Sequence, residues 1–92
     1  MITAIVFVTA EVDKIPEVAQ GIAALDGVSE VYSVTGQIDL IALVRVSSHD
    51  EVAAVIADRL NKIPGVTSTE THIAFRAYSR IDLEAAFSLG LD

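Results

Sequence analysis

The residues best suited to chemistry lie in one short segment between two apolar runs, Thr35-Gly36-Gln37-Ile38-Asp39. Backbone amides in such a segment can hold a carboxylate, and an aspartate side chain can hold an ammonium group. These are the two charged ends of an α-amino acid. The same residues also suit a tight turn in which Gly36 adopts a positive φ and Asp39 accepts hydrogen bonds from nearby amides. The residues alone leave both interpretations open.

A second set of polar side chains lies in the last apolar segment of the chain. Thr69 and Thr71 share one face of a predicted strand, where their hydroxyls either bind a polar ligand or reflect the β-propensity of threonine. Glu70 and His72 share the opposite face, but two ligands do not make a metal site. Without cysteine or a recognisable pair of nucleophile and base, the sequence predicts no catalytic residue, no metal site and no cofactor.

Length and composition narrow the class of protein. Ninety-two residues, 52% of them hydrophobic, suit one domain over residues 1–92, with a core over 2–78 and a tail over 79–92 that makes subunit contacts. The formal net charge of −7 disfavours direct binding to nucleic acid. The apolar run over residues 4–8 is too short to cross a membrane. The lack of cysteine fits a reducing cytoplasm.

The elements that position these residues come from an internal repeat. Shifting the sequence by 38 residues aligns Gly27-Val28 with Gly65-Val66, together with the apolar positions that precede them. Apolar periodicity predicts strands over residues 2–8, 28–35, 39–46 and 66–78. Two helices lie between them, the first capped by Asp13 and the second begun by a capping box of Ser48 and Glu51. A short helix is predicted over residues 82–87.

Two strand–helix–strand units joined by a hairpin predict an α+β, ferredoxin-like βαββαβ fold with a four-stranded antiparallel sheet. Right-handed crossovers place both helices on one face of the sheet. The other face is also apolar, because Ile5 and Phe7 alternate with Ala4, Val6 and Val8. A bare apolar face of this size needs a partner, and the simplest is a second copy packed sheet to sheet, as in dimeric α+β barrels.

Four segments carry a resemblance to a known family: Leu25-Asp26-Gly27-Val28, Val34-Thr35-Gly36-Gln37-Ile38-Asp39-Leu40, Leu60-Asn61-Lys62-Ile63-Pro64-Gly65-Val66 and Thr69-Glu70-Thr71. Together they resemble the effector (RAM) domain of Lrp/AsnC, or feast/famine, transcriptional regulators, over residues 2–78. The sequence starts at the first effector strand, so it is similar to stand-alone members that lack the DNA-binding helix-turn-helix.

The resemblance implies a non-enzymatic regulatory domain that binds an amino acid or related metabolite. It implies ligand contacts from Thr35, Gly36, Gln37, Ile38 and Asp39 and from Thr69 and Thr71, where Ile38 occupies a position that is often aromatic in the family. It also implies homodimers that assemble to octamer-like oligomers, and a full-length Lrp/AsnC regulator as a possible partner. The alternatives left open are a small dimeric α+β-barrel enzyme of monooxygenase or isomerase type and a structural adaptor.

Overall fold

The computed structural model describes residues 1–78, which form four strands and two helices in the predicted order βαββαβ. The strands are β1 (Ile2–Ala10), β2 (Val28–Ser33), β3 (Leu40–Val46) and β4 (Val66–Ile73). Helix α1 (Ile15–Ala23) follows a 3₁₀ turn (Val12–Lys14). Helix α2 (His49–Ala53) continues through a π-helical segment (Ala54–Arg59) and ends in a 3₁₀ turn (Leu60–Lys62).

The strands pair antiparallel in the order β2-β3-β1-β4, which confirms the ferredoxin-like fold. The two halves of the repeat are closely equivalent at their helix-to-strand turns, where Gly27 and Gly65 have φ values of 94° and 101°. A predicted strand begins directly after each glycine, β2 at Val28 and β4 at Val66.

The core lies between the sheet and the helices. Alternate residues of β1 and β3 are fully buried and pack against the apolar stripe of α1, represented by Val18 and Ile22, and against Leu60 at the end of the second helical segment. The residues of β1 and β3 that supply this face are Ala4, Val6, Val8, Leu40, Ala42 and Val44. Strict alternation with a period of two is what a sheet with helices on one side requires.

The opposite face of the sheet, which we call the open face, has no helix of residues 1–78 over it. Its centre is apolar and partly exposed, formed by Ile5 and Phe7 of β1 and by Ile41 and Leu43 of β3. Glu30 and Tyr32 lie beside this centre on β2, and the remaining edge strand, β4, contributes its own polar residues. The sequence-based expectation of a second apolar face therefore holds for the chain.

The ends of several elements differ from those predicted. β1 extends to Ala10, whereas β2 ends at Ser33. β4 ends at Ile73, and the prediction of a strand to residue 78 is wrong. The N–H of Ala74 still donates to the carbonyl of Thr3, but the next side chain, Phe75, is completely exposed (102%) and has no sheet to pack on. The predicted tail over residues 79–92, including the short helix over 82–87, lies outside the described residues.

Both predicted helix caps require correction. Asp13 does not cap α1, because it lies inside a 3₁₀ turn in which the Lys14 N–H donates to the Glu11 carbonyl instead. Only half of the capping box forms at α2. The Ser48 hydroxyl accepts from the Glu51 N–H at 3.2 Å, but the Glu51 carboxylate reaches past Ser48 to the backbone N–H and hydroxyl of Ser47.

Candidate functional site

The residue 35–39 loop connects β2 to β3 and is fastened at its base to two strands. The Val34 N–H donates to the Asp39 carbonyl at 3.0 Å, which closes the hairpin. The Asp39 N–H donates to the Val8 carbonyl at 3.0 Å, which ties the loop to β1. Gly36 has a φ of 110°, in the left-handed region that favours glycine, as predicted for a tight turn.

Asp39 uses its side chain as well as its backbone in this attachment. Its Oδ2 accepts a hydrogen bond from the Ala10 N–H at 2.9 Å, in a partly buried position at the end of β1. A carboxylate oxygen held in this way is oriented by the sheet. The structure therefore gives Asp39 an observed role in anchoring the loop.

The tip of the loop presents backbone donors. Within residues 1–78, the N–H groups of Thr35, Gly36, Gln37 and Ile38 have no hydrogen-bond acceptor in the protein. Thr35, Gly36 and Gln37 are exposed, and Ile38 is half-buried. Consecutive amides of this kind, next to a residue with positive φ, can bind an anionic group such as a carboxylate.

A cavity of about 360 Å³ lies between this loop and the sheet. Its walls come from the loop and from the ends of the strands at this edge, and the described residues that line it are Phe7, Thr9, Gln37, Ile38, Ser68, Thr69 and Glu70. The volume lies at the lower end of the range for small-molecule sites, which suits a ligand of few atoms. Two larger depressions, of about 420 and 430 Å³, lie at the opposite end of the sheet and contain none of the predicted site residues.

The cavity wall on β4 carries an organised polar group. The Glu70 Oε2 and the His72 Nε2 lie 2.8 Å apart, with both side chains well exposed. The His72 ring packs against the ring of Phe7 on β1, with centroids 5.1 Å apart and planes inclined by 54°. Phe7 and Glu70 are directly opposite each other in the β1–β4 register, so these three side chains share the open face.

The two threonines predicted for the site lie on the helix-covered face of the sheet, because Thr69 is opposite Val8 and Thr71 is opposite Val6. The Thr69 hydroxyl donates to Asn61 Oδ1 at 2.8 Å. Of the predicted residues, Gln37, Ile38 and Thr69 line the cavity together, whereas Thr35, Gly36, Asp39 and Thr71 do not.

Sequence reasoning does not place Phe7, Thr9, Ser68 or Glu70 in the site. Their position follows from the pairing of β1 with β4, which includes a register shift after Thr9. No pattern within either strand fixes this register. The alternation of Glu70 and His72 on one face is the only available signal, and by itself it indicates a solvated or interfacial pair.

Two pKa shifts among the described residues occur outside the cavity. A hydrogen bond donated to Glu30 raises the pKa of Tyr32 on the far edge of the open face. The hydroxyl and then the backbone N–H of Ser47 hold the pKa of Glu51 below its usual value at the start of α2. Among residues 1–78, no group of three or more histidines and carboxylates is placed to hold a metal ion, and no helix is long and apolar enough to cross a membrane.

Comparison with known proteins gives one family. The model of the Lrp/AsnC ligand-binding domain matches residues 3–82. TTHA0845 from Thermus thermophilus, whose crystal structure is known, has 44% sequence identity to this chain. The two structures superpose with a TM-score of 0.82, and the alignment covers 87% of this chain and 100% of that one.

Longer relatives share the same region. The HTH-type transcriptional regulator PH1916 of Pyrococcus horikoshii is 42% identical over 59 residues, which are 64% of this chain and 39% of the regulator. The chain therefore matches less than half the length of that relative. A regulator of Neisseria meningitidis, NMB0573, solved in complex with L-Met, has the same fold at 15% identity, with a TM-score of 0.77 and coverage of 86% of this chain and 53% of that one.

Proposed function

The chain belongs to the Lrp/AsnC ligand-binding domain family, and on that premise we propose that it is a non-catalytic regulatory domain that binds an amino acid or a related small metabolite. The observation that carries the proposal is the cavity beneath the residue 35–39 loop. It joins unpaired backbone donors on one side to a carboxylate on the other, which are complements of the two ends of an amino acid.

The amino-acid class draws support from the small volume of the cavity and from a relative. NMB0573 forms a complex with L-Met, and that protein shares only the fold with this chain. Phe7 and Ile38 would contact the apolar part of a ligand, and Gln37 would add a side-chain amide.

Assembly is the second part of the proposal. A homodimer would cover the partly exposed apolar centre of the open face, and dimers would associate further into an octamer-like oligomer. Ligand binding would then act through the oligomeric state or through contact with a partner, such as a longer regulator of the PH1916 type. The regulators among its relatives and the absence of cysteine support action in the cytoplasm, and the net charge of −7 argues against direct contact with nucleic acid.

A dimeric α+β-barrel enzyme is the less favoured alternative. Within residues 1–78, the cavity contains no histidine and no nucleophile–base pair, and its one carboxylate is bonded to a histidine outside the lining. The relatives are named transcriptional regulators. A structural adaptor differs from the proposed domain only in that it binds no ligand.

The test is a thermal-shift screen of the full chain against the twenty amino acids, followed by calorimetric titration of each compound that stabilises it. A ligand present at a hundredfold its dissociation constant adds about 2.7 kcal/mol to the free energy of unfolding. Ser68→Tyr fills the cavity and should abolish the increase in Tm that the ligand causes. Ser33→Tyr, at an exposed position on β2, should leave that increase unchanged. Failure of all twenty compounds to stabilise an intact oligomer would favour the adaptor.

A further inference from the structure

A cavity of about 430 Å³ lies on the open face, at the end of the sheet opposite to the residue 35–39 loop. We call it the arginine pocket. It is lined by two residues each from β1, from β3 and from the segment beyond β4, which are Thr3, Ile5, Leu43, Arg45, Phe75 and Arg76. None of these residues lines the cavity of the proposed ligand site, so the two cavities are separate.

The charge of the arginine pocket is positive. Arg45 and Arg76 are the charged side chains among the described residues that line it, and no aspartate or glutamate is among them. Within residues 1–78, neither arginine forms an ion pair. Glu30, on the neighbouring strand β2, is instead bonded to the hydroxyl of Tyr32. In a chain with a net charge of −7, two such arginines at one site favour an occupant that carries carboxylates.

The arginine pocket is also apolar and open to solvent. Ile5 and Leu43 are partly exposed there, and Phe75 is completely exposed. β4 ends at Ile73, and Tyr78 beyond it is 82% exposed. Large side chains exposed next to an apolar sheet face indicate a surface that is covered in the assembled protein. The occupant therefore combines apolar side chains with carboxylates.

The chain itself contains a segment of this chemistry. Residues 81–84 are Ile-Asp-Leu-Glu, in which apolar and acidic side chains alternate, and they follow closely after Ala77 in the wall of the pocket. An extended segment over residues 79–92 spans up to about 45 Å, whereas a sheet of four strands measures roughly 15 Å across. The segment is therefore long enough to cross an open face, either its own or that of a second copy.

A second copy is the better source of this segment. The chain leaves its own sheet before residue 79, because Phe75 and Tyr78 are both exposed beyond the last strand. In a sheet-to-sheet dimer the open faces meet, and the twofold symmetry places both pockets and both tails in one interface. Docking between chains then forms the same contact twice in each dimer.

We propose that residues 81–84 of a second copy dock in the arginine pocket. The apolar side chains of this segment pack on Leu43 and Phe75, and its two carboxylates pair with Arg45 and Arg76. The inference rests on the dimer of the proposed function and names the contact that completes it. It does not depend on which ligand binds beneath the residue 35–39 loop.

The test exchanges charges between the pocket and the tail in the full chain. The pocket variant carries Arg45→Glu and Arg76→Glu, and the tail variant carries Asp82→Arg and Glu84→Arg. Each variant alone brings like charges together, so we expect its dimer to have a dissociation constant at least about tenfold higher than that of wild type in analytical ultracentrifugation. An equimolar mixture should restore wild-type dimerisation, because each pocket then meets a partner's tail of opposite charge.

The mixture distinguishes docking between chains from docking within one chain. A tail that docks on its own chain stays mismatched in both variants after mixing, whereas one chain with all four substitutions is matched in either case. Arg59→Glu combined with Lys62→Glu is the control, since it changes the net charge equally at exposed positions of the second helical segment and should leave dimerisation unchanged. Arg45 and Arg76 are exposed, so the pocket variant should fold.

The outcomes separate the inference from the proposed function. Pocket and tail variants that dimerise as wild type does, or a mixture as weak as its components, overturn the inference and leave the sheet-to-sheet dimer standing. Restoration in the chain with four substitutions but not in the mixture would place the tail on its own chain and overturn docking between copies. A monomeric wild type overturns the dimer together with the inference, while amino-acid binding is tested independently by the thermal-shift screen.

Discussion

The Asp39 carboxylate and the Ala10 backbone N–H lie 2.9 Å apart, although 29 positions separate the two residues along the chain. The contact continues the β1–β3 ladder beyond its last pair, Val8 and Leu40. The Asp39 N–H donates to the Val8 carbonyl, and Oδ2 takes the place that a strand carbonyl would occupy next. The loop over the candidate cavity is therefore fixed to β1 by both the backbone and the side chain of Asp39.

Removing that side chain should destabilise the fold. Asp39→Ala leaves the Ala10 N–H partly buried without its acceptor, and we expect a loss of about 1–3 kcal/mol in the free energy of unfolding, measured by urea denaturation. Asp39→Asn retains an acceptor oxygen and should lose less. If Asp39→Ala were as stable as wild type, the contact would have no anchoring role.

The same two variants separate anchoring from ligand binding. Because Glu70 lines the cavity and Asp39 does not, Asp39→Asn should bind an amino acid with the same affinity as wild type under conditions in which both proteins are folded. A large loss of affinity in Asp39→Asn without a loss of stability would indicate that Asp39 binds the ligand's ammonium group.

Much of the fold can be predicted from sequence because the signals are local. The alternation of β-branched residues in β1 and β3 gives two faces, and the repeated Gly-Val pairs mark where each helix gives way to a strand. The π-helical segment over Ala54–Arg59 cannot be foreseen. Val52, Val55, Ile56 and Leu60 are buried as a helical stripe would be, so the burial pattern does not reveal the change in helix type.

The site is harder to predict because it depends on contacts between distant segments. The loop is recognisable from its own residues, but Glu70 and Ser68 reach it only through the pairing of the first strand with the last. Asp39 suits a ligand's ammonium group by residue type alone. Its Ala10 partner depends on where β1 ends, two residues beyond the predicted boundary.

Gly36 and Gly65 provide a comparison of backbone strain with steric clash. Both have positive φ, at 110° and 101°. A Cβ at Gly36 would meet no atom within 4 Å, so Gly36→Ala should cost about 1–2 kcal/mol from the backbone alone. A Cβ at Gly65 would lie 2.8 Å from Val18 Cγ2, so Gly65→Ala should cost roughly 1–3 kcal/mol more. Equal losses in urea denaturation would contradict this difference in the space around the two glycines.

Glu51 gives a prediction for acid pH. Its hydrogen bonds from Ser47 lower its pKa below the usual 4.5 in the folded state. A lowered pKa means that its contribution to stability is complete above about pH 4.5 and is lost as the pH falls through the folded-state value. Wild type should therefore have a higher Tm than Glu51→Gln at neutral pH, and the difference should shrink as the pH falls below 4.5.

The control for Glu51 is a second glutamate in the first turn of a helix. Glu17 lies in the first turn of α1, so Glu17→Gln removes a carboxylate from an equivalent position that lacks the Ser47 hydrogen bonds, and its Tm is compared with that of Glu51→Gln. Ser47→Ala should reduce the wild-type advantage at neutral pH. A constant gap between wild type and Glu51→Gln across the whole pH range would contradict the assignment.

Leu43 tests whether the open face joins two copies of the chain. It is partly exposed in one chain, lies opposite Ile5 and would be buried by a second sheet. Leu43→Lys places a charge in that contact and should weaken dimerisation by at least about thirtyfold, which light scattering at micromolar concentration would detect as a shift towards monomer. Ala53→Lys, exposed on α2 behind the sheet, should keep the wild-type mass. In the monomer, the stem of the introduced lysine can pack on the sheet while its ammonium group reaches water, so the variant should still fold. Circular dichroism checks the folded state of Leu43→Lys. A wild-type chain that is already monomeric, or a Leu43→Lys variant of unchanged mass, would contradict the packing of a second copy on the open face.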